Sequence, residues 1–481
     1  GLALAAFAPS AAVQPRTEGA LVLEGIPEVP AAIRQALQPY QNIRTASFAG
    51  WIPNTDEMLV TTRFGSLYQL HRVSQPLGLR NQVTFYPEPI YDAKFGKGTD
   101  PNHFLFTMDD DGSEQTQIYL HDLNTGRASM LSDGQSVNRY PIWSNTSSYY
   151  AFSTTRRNGQ DWDVHIHDAD RPSSPSIALI EEEGLWYPID WSPGDRRLLV
   201  GKYVSVNESK LFVLNADTGE RIQIDPKSEQ KISYGTARFA RSGDGIFFTS
   251  DESGEFQTLY YYDVKHHAKK RLVEDIPWDI ADFDLSPSGR LIAFTTNENG
   301  LSKLYTINVE DLKRRDLTLP AGIVRRLEFH PDEEKIALSL FKPNAPGDVY
   351  TVGLREAALT RWTKSEVGGL DEEQFVGTEL IEYRTFDKLS DGSGRRIPAF
   401  VYTPREEGPW PVVIDIHGGP ESQARPFFNS FHQYLINELG VAVIEPNVRG
   451  SAGYGKTYLT LDNAMSREDS VKDIGALLDW I

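Results

Sequence analysis

The residues best suited to chemistry lie near the end of the chain, where an apolar run leads into paired glycines. Residues 412–416 carry four apolar side chains and predict a buried strand. The run stops at His417-Gly418-Gly419-Pro420, a turn sequence. Because glycine lacks a Cβ atom, backbone N–H groups in this turn can approach a ligand closely. Such donors can stabilise a developing oxyanion, although an ordinary tight turn is the alternative interpretation.

A second glycine-rich stretch follows another apolar run at residues 441–444, and it reads Asn447-Val-Arg-Gly-Ser-Ala-Gly-Tyr-Gly455. Within it, Arg449-Gly-Ser-Ala-Gly453 is close to the G-x-S-x-G turn that presents a nucleophilic serine, but arginine replaces the first glycine. No other part of the chain matches that pattern. The sequence therefore predicts no nucleophile, and His417 is left without a nucleophile to activate.

The same stretch overlaps a phosphate-binding pattern. Gly450-Ser-Ala-Gly-Tyr-Gly-Lys-Thr457 matches G-x-x-x-x-G-K-S/T, in which Lys456 would meet phosphates and Thr457 would hold a magnesium ion. A loop of this kind leaves its strand directly, whereas a segment containing Pro446 separates the apolar run from the first glycine. The context therefore disfavours nucleotide binding.

Composition narrows the possible partners and cofactors. The 481-residue chain has 67 acidic and 48 basic residues and a net charge of -19, which disfavours nucleic acid and anionic membranes as partners. It has no cysteine, which excludes disulfides, thiolate catalysis and cysteine-ligated zinc. His165 and His167 alternate along one predicted strand without a nearby carboxylate cluster, so we predict neither a metal site nor a cofactor.

The beginning of the chain bears on localisation. Residues 2–8 are apolar and rich in alanine, and small residues follow at 10–12, a pattern that resembles the end of a signal peptide. We therefore expect a periplasmic or secreted protein, with a cytoplasmic one as the alternative. Elsewhere the chain has no apolar run of about 18 residues, so we expect no membrane span.

The elements that must position these residues begin with a repeat. Between residues 41 and 360 a large apolar residue, often followed by Ser-Pro or a similar turn, recurs every 44 to 48 residues. Each unit contains segments with the pattern of four short strands. This predicts an all-β, seven-bladed β-propeller, in preference to a two-sheet sandwich. The recurring residues are Phe48, Phe95, Trp143, Trp191, Phe239, Leu285 and Phe329.

Beyond residue 360 the pattern changes. Two strands predicted at 379–385 and 397–403 are followed by an alternation of strands and helices. Such alternation predicts a mostly parallel sheet covered by helices. We therefore expect three segments, which are an N-terminal tail and lead-in (1–40), the propeller (41–360) and an α/β domain (361–481).

A propeller followed by an α/β domain that opens with His417-Gly-Gly-Pro420 and continues with the 447–455 run resembles the prolyl oligopeptidase family of serine peptidases. The His-Gly-Gly-Pro form is similar to its acylaminoacyl-peptidase and dipeptidyl-peptidase-like branches. The likeness runs from about residue 40 to residue 481. It implies a seven-bladed propeller joined to the N-terminal part of an α/β-hydrolase domain. It also implies cleavage of oligopeptides through an acyl-enzyme.

The resemblance implies roles for particular residues. Gly419, together with Gly418, would offer backbone N–H groups to the oxyanion, while Arg449 and Tyr454 would support the sheet and the wall of the active site. The family's triad of serine, aspartate and histidine is not recognised in this sequence. We therefore expect the chain to stop before the nucleophile elbow and to be inactive alone. A non-catalytic propeller scaffold that binds protein or peptide is the alternative.

Overall fold

The structure is a computed structural model. The predicted signal-type segment at residues 2–12 lies outside the residues that it describes, and so does Pro420. No helix of the described residues is long and apolar enough to cross a membrane. The described residues are 15–96, 100–171, 174–224, 230–419 and 421–481.

The N-terminal segment reaches across to the second domain. It consists of a hairpin of β1 (Arg16–Glu18) and β2 (Leu21–Leu23), followed by helix α1 (Ala31–Gln41). Tyr40, in the last turn of α1, is buried against Tyr434, with the two ring centroids 5.6 Å apart. This aromatic contact ties the segment that precedes the propeller to the domain that follows it.

The described residues that follow form seven four-stranded antiparallel sheets, and in each of them consecutive strands pair. Middle strands such as Met58–Thr62 and Gly245–Ser250 are buried along their whole length, because each sheet packs between two others. The strands are β3 (Ser47–Trp51), β4 (Met58–Thr62), β5 (Gln69–Val73), β6 (Asn81–Gln82); β7 (Lys94–Phe95), β8 (His103–Met108), β9 (Gln117–Asp122), β10 (Arg127–Met130); β11 (Asn138–Trp143), β12 (Tyr149–Thr154), β13 (Asp163–Asp168), β14 (Ile177–Ile180); β15 (Leu185–Trp191), β16 (Arg197–Ser205), β17 (Glu208–Asn215), β18 (Arg221–Gln223); β19 (Tyr234–Phe239), β20 (Gly245–Ser250), β21 (Thr258–Asp263), β22 (Ala268–Arg271); β23 (Asp279–Leu285), β24 (Leu291–Glu298), β25 (Leu301–Asn308), β26 (Arg314–Leu317); and β27 (Ile323–Phe329), β28 (Lys335–Lys342), β29 (Ala345–Gly353), β30 (Leu359–Arg361).

The recurring apolar residue ends the first strand of each sheet. In the fourth sheet, for example, Trp191 pairs with Leu198 at the start of the second strand. In the first sheet the equivalent residue is Trp51, which pairs with Met58, and the prediction that placed the repeat at Phe48 is wrong. The sequence Trp-Ile-Pro at this point matches Trp-Ser-Pro in the fourth sheet, so the turn that follows the residue identifies the correct register.

The first and last sheets contact one another, and the sheets therefore close into a ring. Strand β3 lies against β27, β28 and β29. Phe48 N donates to Ser339 Oγ (2.8 Å), and the ring of His330 packs edge-on to Trp51 with centroids 4.5 Å apart. A ring of four-stranded antiparallel sheets is the architecture of a β-propeller.

The second domain is a four-stranded mixed sheet with helices. Its elements are β31 (Glu379–Lys388), β32 (Gly394–Tyr402), β33 (Val412–Ile414), α2 (Ser430–Leu439), β34 (Ala442–Pro446), α3 (Lys456–Leu459) and α4 (Arg467–Trp480), with short 3-10 helices at Glu372–Gln374 and Ala464–Ser466. The strand order is β31-β32-β34-β33. Only β33 and β34 pair in parallel, so the prediction of a mostly parallel sheet is wrong for the described residues. The β31–β32 hairpin adds the antiparallel pairings.

Strand β33 is an edge strand, and the prediction that it is buried is wrong. Val413 and Ile416 are 40% and 53% exposed. Val412 and Ile414 pack on the core that contains Leu477 of α4. One face of this strand is therefore packed on the core, while the face that carries Val413 is open to solvent.

Candidate functional site

The predicted His417-Gly418-Gly419 turn lies at the carboxyl end of β33. Asp415 N donates to Ile444 O (2.9 Å), which carries the parallel pairing just past the end of the strand. Gly419 has a φ of 83°, a left-handed conformation that favours glycine. The N–H groups of Gly418 and Gly419 have no acceptor among the residues described here.

His417 contacts Ser451, the serine of the near-match to the G-x-S-x-G pattern. His417 Nε2 lies 2.9 Å from Ser451 Oγ, and that hydroxyl donates to Val448 O (2.7 Å). The other ring nitrogen, Nδ1, lies 3.2 Å from Gly418 O, an atom that can only accept a hydrogen bond. The sequence pattern did not indicate this contact between His417 and a serine. Ser451 is fully buried, however, and its hydroxyl is committed to these two bonds.

Further hydrogen bonds fix the loop after β33 on the loop after β34. Ala452 N donates to Ser422 O (2.8 Å). The side-chain amide of Asn447 pairs with the backbone of Ala424 in both directions, at 2.7 and 3.0 Å. The hydroxyl of Tyr454 accepts from the same amide at 3.1 Å. The two glycine-rich motifs thus form one braced unit.

Arg449 supports this unit from below. Its Nε and Nη2 donate to the two carboxylate oxygens of Asp473 on α4 (2.9 and 2.8 Å), and its backbone N–H donates to the same carboxylate (3.0 Å). A second bond runs from Nη2 to Asp387 (2.9 Å). Arg449 and Asp473 are both buried. Arg449, which replaces the first glycine of the G-x-S-x-G pattern, therefore joins the loop after β34 to α4 and to the β31–β32 hairpin.

A cluster of titratable residues that sequence reasoning missed lies near the turn. The cap residue Asn429 accepts hydrogen bonds from the first turn of α2 and so starts the helix, which places His432 in that turn. His432 Nε2 lies 2.8 Å from Asp415 Oδ2. Burial raises the pKa of Glu445 to about 7, and the negative charge of Asp415 adds to the rise. Only the parallel pairing of β33 with β34 brings these carboxylates together.

The phosphate-binding pattern faces the propeller. Lys456 Nζ lies 3.1 Å from Asp251 Oδ1, and it also donates to the backbone carbonyl of Asp251. Thr457 donates from both its N–H and its hydroxyl to the carboxylate of Glu255 (2.7 Å each). A phosphate bound here would meet two carboxylates. These contacts join the two domains and offer no support to nucleotide binding.

His165 and His167 hydrogen-bond to the segment that precedes β14. His165 Nδ1 lies 2.9 Å from Ser176 Oγ, and His167 Nε2 lies 2.8 Å from Ser174 O. Contrary to the prediction, carboxylates do lie near His165. One ligand atom each of Asp163, His165 and Glu181 lies within 4.8 Å of those of the other two residues. Burial lowers the pKa of His165 to about 4, helped by the positive charge of Arg156.

The fold and the turn define a class of protein, a β-propeller joined to an α/β-hydrolase-type domain. No protein-family model matches the chain. The sequence is 21% identical over 472 residues to the uncharacterized peptidase YuxL of Bacillus subtilis, covering 80% of this chain and 67% of that protein. It is 19% identical over 409 residues to dipeptidyl aminopeptidase BIII of Pseudoxanthomonas mexicana, covering 76% and 53%. Protease 2 of Moraxella lacunata matches at 19% identity over 386 residues, covering 78% and 54%.

Solved structures share the fold. A prolyl endopeptidase superposes with a TM-score of 0.78 at 15% identity, covering 93% of this chain and 68% of that one. Prolyl oligopeptidase B from Galerina marginata, bound to a 35mer hydrolysis and macrocyclization substrate, gives 0.77 at 14%, covering 94% and 68%. The chain thus spans between 53% and 67% of the three sequence relatives. Together these comparisons confirm the resemblance to the prolyl oligopeptidase family.

Proposed function

We propose that this chain is the propeller and the first part of the hydrolase domain of a serine-type peptidase that acts on oligopeptides. The observation that carries the proposal is the His417–Gly419 turn at the end of β33, where the N–H groups of Gly418 and Gly419 have no acceptor among the described residues. The sequence relatives, which are named as peptidases, support it. Gly419 N–H, with Gly418 N–H beside it, would stabilise the oxyanion of the tetrahedral intermediate. Loss of one such donor costs about 3 to 4 kcal/mol of transition-state stabilisation.

The nucleophile, we propose, is not among these 481 residues. Ser451 is excluded because it is fully buried and donates its proton to Val448 O. The hydroxyl of Ser451 donates to Val448 O rather than to Nε2 of His417, so the pair is not arranged as a nucleophile and its base. We therefore expect this chain to form no acyl-enzyme alone.

The propeller is proposed to act as a seven-bladed ring that restricts the active site to short peptides. Its attachment to the hydrolase segment supports this role. Asn297 Nδ2 donates to Gln423 Oε1 (2.7 Å), and Arg425 Nε donates to Gly300 O (2.9 Å). Asn297 and Gly300 lie at the β24–β25 hairpin, so this end of the ring faces residues that closely follow the oxyanion turn.

A fluorophosphonate probe, which labels activated serines, tests this account. We expect no specific label on the chain, and the same result for the Ser451→Ala variant. Labelling that disappears in Ser451→Ala would show that Ser451 is a nucleophile and that our exclusion of it is wrong. Sequencing the transcript past Ile481 is the complementary test, since a G-x-S-x-G motif followed by aspartate and histidine would support the peptidase.

The burial of Ser451 also favours the second candidate, a non-catalytic propeller scaffold that binds protein or peptide. The two candidates differ in their expected transcript. A stop codon directly after Ile481 would reject the peptidase and favour the scaffold. A continuing reading frame with the complete triad would reject the scaffold as the function of the whole protein.

A further inference from the structure

Asp415, His432 and Glu445 form a cluster with the composition of a metal site. One ligand atom from each lies within 4.8 Å of those of the other two. The His432 side chain is buried (4% exposed), whereas that of Asp415 is 48% exposed. The cluster therefore has one ligand held inside the domain and is open to solvent on the side of Asp415. An ion could therefore reach the three groups without the domain unfolding.

Two other clusters of the described residues combine one histidine with two carboxylates, and they provide an internal comparison. In the cluster around His330, Lys335 Nζ lies 2.6 Å from Asp56. In the cluster around His165, Arg157 Nε lies 2.9 Å from Asp163. A side-chain cation thus already neutralises one carboxylate in each, and a metal ion would have to displace it.

The cluster near the oxyanion turn has no such cation. Within the described parts of the chain, no lysine or arginine forms an ion pair with Asp415 or Glu445, and the only basic partner of Asp415 is His432. Two carboxylates and one imidazole converge without a positive charge to balance them. A divalent cation would supply that charge and satisfy all three groups at once.

We propose that Asp415, His432 and Glu445 bind a divalent transition-metal ion of the Zn²⁺ type. One nitrogen and two carboxylate ligands suit such ions, and three protein ligands leave a coordination position for water. The ligands come from the loop after β33, from the first turn of α2 and from β34. Binding would therefore brace the segment that leads into His417, whether or not the protein is a peptidase.

The second ring nitrogen of His432 limits the affinity that we expect for the metal ion. His432 Nδ1 is buried and has no hydrogen-bond partner in the described structure. Zinc-binding histidines usually donate this second N–H to an acceptor, which orients the ring and strengthens the bond to the metal. We therefore expect binding weaker than at a structural zinc site, and reversible with EDTA.

Isothermal titration of the EDTA-treated, dialysed protein with Zn²⁺ tests the proposal. We expect one ion per chain, with the dissociation constant raised at least about tenfold in both Asp415→Ala and Glu445→Gln. Asp415 is half exposed, so its variant should fold even if a change at the buried histidine does not. His165→Gln is the matched control, and it should bind Zn²⁺ as the wild type does.

Two outcomes would overturn the proposal. One is the absence of any saturable heat of Zn²⁺ binding by the folded wild-type protein. The other is saturable binding that Asp415→Ala and Glu445→Gln leave unchanged, because the ion would then bind elsewhere. A rise in the thermal midpoint with Zn²⁺ that is lost in both variants, and kept in His165→Gln, would support the assignment independently.

Discussion

Nε2 of His417 lies 2.9 Å from Oγ of Ser451, and this contact joins the two glycine-rich motifs of the hydrolase segment. It has the appearance of a nucleophile and its base. Its role is different, because the serine is buried and its hydroxyl donates to Val448 O rather than to the histidine. Ser451 is thus a positioning residue for the turn that carries Gly418 and Gly419.

Replacing Ser451 with alanine should release His417. We expect a loss of about 1 kcal/mol of stability, since the hydroxyl makes two hydrogen bonds in a buried position. In ¹⁵N spectra, the ring resonances of His417 should shift in the variant, because Nε2 loses its contact with Ser451 Oγ. Ser422→Ala is the control, because only the backbone of Ser422 contacts the other loop. An unchanged His417 spectrum in Ser451→Ala would contradict the positioning role.

Gly419 and Gly418 should differ in their tolerance of a side chain. Gly419→Ala should cost about 1 to 2 kcal/mol, because an L-residue is strained at its φ of 83°. Gly418→Ala should be close to neutral, since a Cβ there meets no atom within 4 Å. Chemical denaturation of the two variants measures the difference. Equal effects would show that the turn has another conformation.

The buried pair of Arg449 and Asp473 should be the costliest to break. Asp473→Asn removes the fully buried carboxylate that binds the arginine through three hydrogen bonds and leaves only Asp387 as its charge partner among the described residues, so it should cost about 3 kcal/mol in unfolding free energy. The matched control is Asp469→Asn, which removes a solvent-accessible ion pair with Lys472 on the same helix and should cost less than about 1 kcal/mol. Similar losses in both variants would contradict the assignment of Arg449 as the support of this loop.

The buried His165 should make the protein less stable in acid. Its pKa is lowered to about 4 by burial and by Arg156, against the nearby carboxylates of Asp163 and Asp133. The folded state therefore binds fewer protons than the unfolded state between about pH 6.5 and 4, and stability falls by up to about 3 kcal/mol as the pH is lowered through that range. Denaturation of the wild type and His165→Gln across this range should give curves that diverge in acid. Parallel curves would show that His165 is protonated in the folded protein.

The phosphate-binding pattern at residues 450–457 should bind no nucleotide. We expect MgATP to leave the thermal midpoint unchanged, because Lys456 and Thr457 bind the propeller carboxylates of Asp251 and Glu255. Glu255→Gln should lower the midpoint slightly, since it weakens a contact between the domains. Stabilisation by MgATP that is lost in Lys456→Met would contradict this account.

Sequence patterns found the repeat because its signals are local. The Trp-Ser-Pro phrase at Trp191 and its relatives mark the end of a first strand, and the alternating segments that follow mark the others. The prediction chose Phe48 in place of Trp51, because the equivalent residue of each sheet is defined by its partner on the next strand, which for Trp51 is Met58. The apolar run also predicted that β33 is buried, because apolar content does not show whether one face of a strand or both faces are covered.

The propeller, the change of pattern near residue 360 and the glycine turn could be predicted from the sequence, since each depends on residues close together in the chain. The surroundings of that turn depend on contacts between elements that are distant in the sequence. His417 and Ser451 are 34 residues apart, and Asp415 and His432 are 17 apart, on elements that meet through sheet pairing and helix packing. Contacts of that kind follow from register and strand order, which a single sequence does not display.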